Sequence, residues 1–227
     1  MAARYIHNGL GQRLTVAFGG DINLGGLTDQ FLPQSLPDKH SEAAAARLRQ
    51  QHPLLGRRMR TAEVWGNAVG TLQANLSVVS LSSPLTASPH RARSAGGGLI
   101  MDARRAHPLN LEVLADANVD CVTLATGHAM DYGEEGMLDT FGALEAASIV
   151  HAGAGRNQRA ALRPALMKSR GRTVAVFSVS EVGCGLNDVA GRDMWAADER
   201  RSGIAHVRLG DETSRLASLL ELRDAAS

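Results

Sequence analysis

Cysteine, lysine and aromatic residues are scarce in this chain, and each scarcity removes a class of protein. Two cysteines, Cys121 and Cys184, stand in 227 residues with no paired spacing, which excludes a disulfide scaffold and a zinc knuckle. Cys121 lies in an apolar run and reads as a buried core thiol. Lysine occurs only at positions 39 and 168, so the basic residues are almost all arginine, a bias that genome composition explains as readily as function. Aromatics make up 4% of the chain, and Trp65 and Trp195 read as packing residues rather than stacking platforms. The formal net charge of +1 supplies no field for nucleic acid or an anionic membrane.

No segment approaches the roughly 20 apolar residues needed to span a bilayer. The first twenty residues lack the apolar core of a secretory signal, so a cytoplasmic setting is expected. The hydrophobic share of 44% and charged share of 21% are those of a globular protein, and the length suits a single domain over 1–227.

The apolar pattern predicts alternating strands and helices. Strands are expected at 14–18 (stopped by Gly19-Gly20), 76–81, 119–125, 149–152 and 173–179. Helices are expected at 41–51, 62–74, from Pro108 to about 118, 134–147 and 211–223. Residues 83–98, rich in Ser, Pro and Gly, read as a long surface loop. This order implies an α/β fold with a mostly parallel sheet, whose ligands bind at the carboxyl ends of the strands.

Three segments meet that edge. In Gly19-Gly20-Asp21-Ile22-Asn23, the Asp21 carboxylate is a candidate metal ligand or general base, with Asn23 as a weak further donor; capping a turn is the plain alternative. In Thr126-Gly127-His128, the imidazole follows a central strand, and Asp131 is placed to orient it. In Arg104-Arg105-Ala106-His107-Pro108, ahead of a helix, Arg105 and His107 are candidates for binding an anionic substrate group, against the alternative of a solvated basic turn. Gly153-Ala154-Gly155 lacks the third glycine of a dinucleotide fingerprint, so no nucleotide cofactor is expected. Ser80, Ser82 and Ser83 sit in no nucleophile elbow.

These segments resemble the bacterial CapA family of capsule and poly-γ-glutamate synthesis proteins. The resemblance rests on VAFGGDINLGGLTDQFLP at 16–33, VVSLSSPLT at 78–86, and the long block from Arg105 to Leu166. It implies a calcineurin-like metallophosphatase fold, an αββα sandwich of which this chain is the N-terminal part. It also implies a hydrolase-like site where Asp21 and His128 converge, with a divalent metal ion held by Asp21, Asn23 and His128, and Asp131 assisting.

The chain departs from the family pattern at Ser80-Leu81-Ser82, where Asn-Leu-Glu is usual, at Thr126-Gly127 before His128, where two Asn are usual, and at Gly26 in place of an arginine. It ends at Ser227, before the His-Trp-Gly and Gly-His-Pro-His segments of the family's second half. Fewer than three strong ligands make a stable two-metal site unexpected in this chain alone. Three readings follow: a CapA-like hydrolase domain impaired as it stands, a non-catalytic family member with a binding or assembly role, or a metal-independent acid–base enzyme using Asp21 and His128. Self-association through a face left open by the absent half is a further expectation.

Overall fold

The structure, a computed structural model, describes residues 2–6, 13–56, 58–93, 97–100, 102–181, 195–208, 210 and 212–226. Cys184 and residues 94–96 of the predicted loop lie outside them. In chain order the elements are β1 (Ala2–Ile6), β2 (Leu14–Ile22), α1 (Lys39–Gln51), α2 (Val69–Leu72), β3 (Leu76–Leu81), α3 (Glu112–Asp116), β4 (Cys121–Thr123) and α4 (Gly133–Ala146). They continue with β5 (Val150–Ala152), β6 (Ala154–Gly155), α5 (Gln158–Leu162), β7 (Ala165–Ser169), β8 (Arg172–Val176), β9 (Gly203–Ile204) and α6 (Glu212–Ala226).

The main sheet has the order β1-β2-β3-β4-β5. β2 to β5 are parallel, as the strand–helix alternation predicts, and β1 adds an antiparallel edge that the sequence reading did not include. One face of the sheet buries Ala17, Val79, Leu81, Val122 and Leu124 in a core shared with Val113, Leu114, Met137 and Leu144 of α3 and α4. The other face buries Leu14, Val16, Leu76, Val78 and Cys121 against Ala165, Met167 and Val176 of a β7–β8 hairpin. That hairpin lies across the second face of the parallel sheet, so both faces are covered, as parallel sheets require. Its turn uses Arg170 at φ 50° and Gly171 at φ 72°, the two positive angles of a type I′ connection.

Three expectations need correction. The helix predicted over 62–74 is broken into short 3-10 turns at Thr61–Glu63 and Gly66–Ala68 followed by the one-turn α2, because Gly66 takes a positive φ of 48°. The segment predicted as surface loop begins buried: Ser83, Leu85, Thr86 and Ser88 are all sealed. Its polar groups find partners on α4, with Leu85 N donating to Thr140 Oγ1 at 2.9 Å and Ser88 Oγ to Glu135 at 2.8 Å. The strand predicted to stop at Gly19-Gly20 instead runs through them to Ile22.

The last correction bears directly on function. Phe18 pairs with Val78 and Asp21 with Ser80, so β2 advances three residues while β3 advances two. The extra residue is a β-bulge at the glycine pair. A one-residue slip reverses which face each side chain takes, so the bulge turns Asp21 onto the face of Ser80 and leaves Ile22 beside Leu81 in the helix-side core.

Along α6, Leu216, Leu219 and Leu220 are exposed, while Leu222 and Ala225 pack on a small cluster with Ala161, Leu162 and Ala205. No helix among the described residues is long and apolar enough to cross a membrane.

Candidate active site

Three parallel strands end side by side, with Asp21 opposite Ser80 and Ser80 opposite Thr123. At the usual strand spacing this places the ends of β2 and β4 roughly 10 Å apart. The chain leaving each strand is tied to its neighbour. Ser82 N donates to Ile22 O at 2.8 Å, Leu24 N to Ser83 Oγ at 3.1 Å, and Thr126 Oγ1 to Leu81 O at 3.3 Å. The edge is therefore a built shelf rather than a set of loose loops.

Asp21 is exposed, and its Oδ1 accepts from Ser80 Oγ at 2.9 Å. Asn23 spends its amide oxygen on Gly25 N at 3.0 Å, a local turn that fixes the chain after β2. Gly25 is required there, because a Cβ would stand 2.8 Å from the backbone N and O of Arg105.

His128 and Asp131 form a pair. His128 Nδ1 lies 2.8 Å from Asp131 Oδ2, and the same oxygen accepts Arg104 N at 2.7 Å. Asp131 is 1% exposed. Burial pushes its carboxyl pKa up, while hydrogen bonds from His128 and Arg104 pull the other way. Because Oδ2 already accepts the Arg104 amide, the proton between it and the imidazole belongs on Nδ1. Nε2 is then the ring nitrogen left with a lone pair, and it has no partner among the described residues. The His128 side chain keeps 15% of its surface exposed.

The segment from Arg104 to His107 behaves differently from the sequence expectation. Arg105 spends its guanidinium on backbone carbonyls, with Nη2 3.2 Å from Pro37 O and Nη1 bonded to Ala87 O and Ser88 O, and lies 5.2 Å over the Tyr132 ring. His107 N donates to Asp29 Oδ1 at 2.8 Å, and its Nδ1 accepts from Leu109 N at 3.2 Å. The anion at this short helix start is thus the buried Asp29, which also accepts from Asn110 Nδ2 at 2.9 Å and Leu36 N at 2.6 Å. Burial raises the Asp29 pKa against those bonds.

It is Arg104, not singled out from the sequence, that extends along the shelf to Ser82. Ser80, Ser82 and Thr126 are further members that sequence reasoning set aside or passed over. Strand-end position was their available signal; nothing local distinguishes Arg104 from Arg105.

Among the described residues no group of three or more His, Cys, Asp or Glu is placed to hold an ion. Asp21 and His128 Nε2 are two donors, the Asn23 oxygen is engaged, and a divalent ion asks for three or more.

Comparison with known proteins decides the family. Residues 15–225 match the family described as bacterial capsule synthesis protein PGA_cap. The chain belongs to this family. The PGA_cap family has the calcineurin-like fold, and the four-stranded parallel sheet flanked by helices agrees with it. Two proteins of Mycobacterium tuberculosis, from strains CDC 1551 / Oshkosh and ATCC 25618 / H37Rv, each named probable polyglutamine synthesis accessory protein, are 30% identical to it over 210 residues. The matches cover 86% of this chain and 52% of each relative, so the chain spans about half the length of the curated relatives it matches.

Proposed function

We propose that this PGA_cap chain serves the synthesis of a cell-surface glutamyl polymer as a hydrolase-like accessory domain, with His128 as its general base. The family and the names of its relatives support the setting. The observation that carries the chemistry is the 2.8 Å contact of His128 Nδ1 with buried Asp131. A carboxylate on Nδ1 fixes the tautomer and the ring plane, and it stabilises the imidazolium that forms when Nε2 takes a proton. His128 lies in the segment that leaves β4, and its Nε2 has no partner among the described residues, so a water or hydroxyl bound at Nε2 is the group it deprotonates. The imidazolium then returns that proton to the leaving group, and Asp21, held by Ser80, is the second ionisable side chain of the strand-end edge. No step requires an ion.

The test is a strain lacking the gene, complemented with wild type or with His128→Ala at equal protein level. Wild type restores surface polymer. His128→Ala restores little, since positioned acid–base groups contribute about 10²–10⁴-fold. Full restoration by His128→Ala overturns the catalytic reading in favour of a binding role. Unchanged polymer in the deletion strain overturns the setting.

A further inference from the structure

We propose that Arg104, with Ser82 beside it, is the oxyanion-binding element of this site and takes a carboxylate or phosphate group of the ligand next to His128. The inference rests on the preceding reading for the place of the ligand, and it adds the ligand's charge class.

Four observations carry it. First, Arg104 is anchored to the catalytic pair by its backbone, since its amide and the His128 ring share Asp131 Oδ2 at 2.7 and 2.8 Å. The residue is held beside the imidazole whatever its side chain does. Second, the guanidinium is poorly engaged for an arginine this close to a core. Nη1 stands 3.4 Å from Ser82 Oγ, and Nη2 stands 3.5 Å from Asp102, whose side chain is 73% exposed. Both contacts are at the long end for charged partners, where 2.7–2.9 Å is usual. With the Asp102 carboxylate exposed and the contact long, the pair is cheap to exchange for another anion.

Third, the neighbouring Arg105 is the opposite case, with its donors committed to three carbonyls and its face to Tyr132. Of the two adjacent arginines one is structural, and the other has only long contacts to Ser82 and Asp102. Fourth, the guanidinium reaches the start of the chain after β3, the place where parallel sheets bind ligands.

A planar fork with free donors pairs bidentately with a carboxylate or phosphate. Ser82 is buried, and its Oγ accepts from Nη1 at 3.4 Å, so the hydroxyl backs the fork from the inner side. Asp21 on the neighbouring strand bears the opposite charge, so the fit is to a ligand with one anionic group at Arg104 and a neutral or cationic group toward β2.

The test uses the full chain and two probes at constant ionic strength, inorganic phosphate and glutarate, followed by amide and arginine side-chain NMR. At least one probe gives a saturable shift at residues 82, 104 and 128. Tighter glutarate binding assigns the site to a carboxylate ligand, and tighter phosphate binding to a phosphoryl ligand. Arg104→Ala weakens binding by about tenfold or more, since one lost charge-assisted hydrogen bond is enough for that. Arg104→Lys keeps the charge without the fork and falls between. The backbone bond to Asp131 survives both substitutions, so the variants keep the fold, which circular dichroism checks. No saturable shift with either probe, or binding by Arg104→Ala within about twofold of wild type, overturns the proposal. If Arg104→Ala loses binding while His128→Ala still restores polymer, the anion site stands and the catalytic reading falls. The reverse pattern removes the anion site alone.

Discussion

Substitution of Asp131 separates the two things its carboxylate does. In the wild type a single oxygen, sealed from solvent, accepts the His128 ring and the Arg104 amide. Asp131→Ala leaves two donors without an acceptor, at a cost of about 1–3 kcal/mol each. A loss of about 3 kcal/mol lowers the melting temperature of a chain this size by roughly 6–12 °C. Asp131→Asn keeps an acceptor oxygen at the same place and removes only the charge, so its stability stays within about 1 kcal/mol of wild type.

The pH dependence has a definite sign. Folding raises the Asp131 pKa because burial opposes the charged form. The wild-type contribution is then fully present below the ordinary carboxyl value of about 3.9 and is lost as pH rises through the raised folded value. Asn does not titrate, so the difference in stability moves in favour of Asp131→Asn as pH rises from about 4 toward neutrality. Asp29, which is also raised, is common to both proteins and cancels in the difference. Urea melts of the three proteins at several pH values supply the numbers. A melting temperature for Asp131→Ala within about 1 °C of wild type, or a difference between Asn and Asp that is flat with pH, refutes the reasoning.

Other outcomes follow from the same contacts. Asp29→Asn presents an amide donor to Leu36 N, now 2.6 Å from Oδ2, and costs about 1–3 kcal/mol in a denaturant melt. Gly25→Ala drives a Cβ into the Arg105 backbone at 2.8 Å; it destabilises by about 1–3 kcal/mol, and amide shifts at 104 and 105 report the displacement. Burial pushes the Cys121 thiol up to about 12, and the residue is fully buried. In a Cys184→Ser background, a thiol reagent at pH 8 should therefore label the protein only after unfolding, and prompt labelling of the folded chain contradicts this.

Much of the scaffold was legible because its signals are local. Leu14–Phe18 and Leu76–Leu81 are apolar runs, Pro108 opens a helical segment, and the strand–helix alternation implies the parallel order that β2 to β5 adopt. The hairpin was legible too but went unread: Ala165 and Met167 are buried while Leu166 and Lys168 are exposed, with Arg170-Gly171 as the turn. Other features depend on pairing across the chain. Gly19-Gly20 reads as a stop in isolation, and only the register with β3 makes it a bulge that turns Asp21 toward Ser80. The serines at 83 and 88 read as surface-loop residues, yet their hydroxyls are bonded to groups that are distant in sequence. The difference between Arg104 and Arg105 is set by Ser82 on one side and by Pro37, Ala87 and Ser88 on the other, none of which is a neighbour in sequence. His128 and Asp131 lie three apart, and that spacing did suggest the pair which the structure closes at 2.8 Å.

The central claim is that Asp131 holds the His128 ring by Nδ1 and leaves Nε2 without a partner among the described residues. Nitrogen-15 NMR of the labelled imidazole tests it most directly. In the neutral ring the account predicts a protonated Nδ1 and an unprotonated Nε2, with this preference weakened in Asp131→Ala. A neutral His128 protonated at Nε2, or a tautomer ratio indifferent to Asp131, contradicts it.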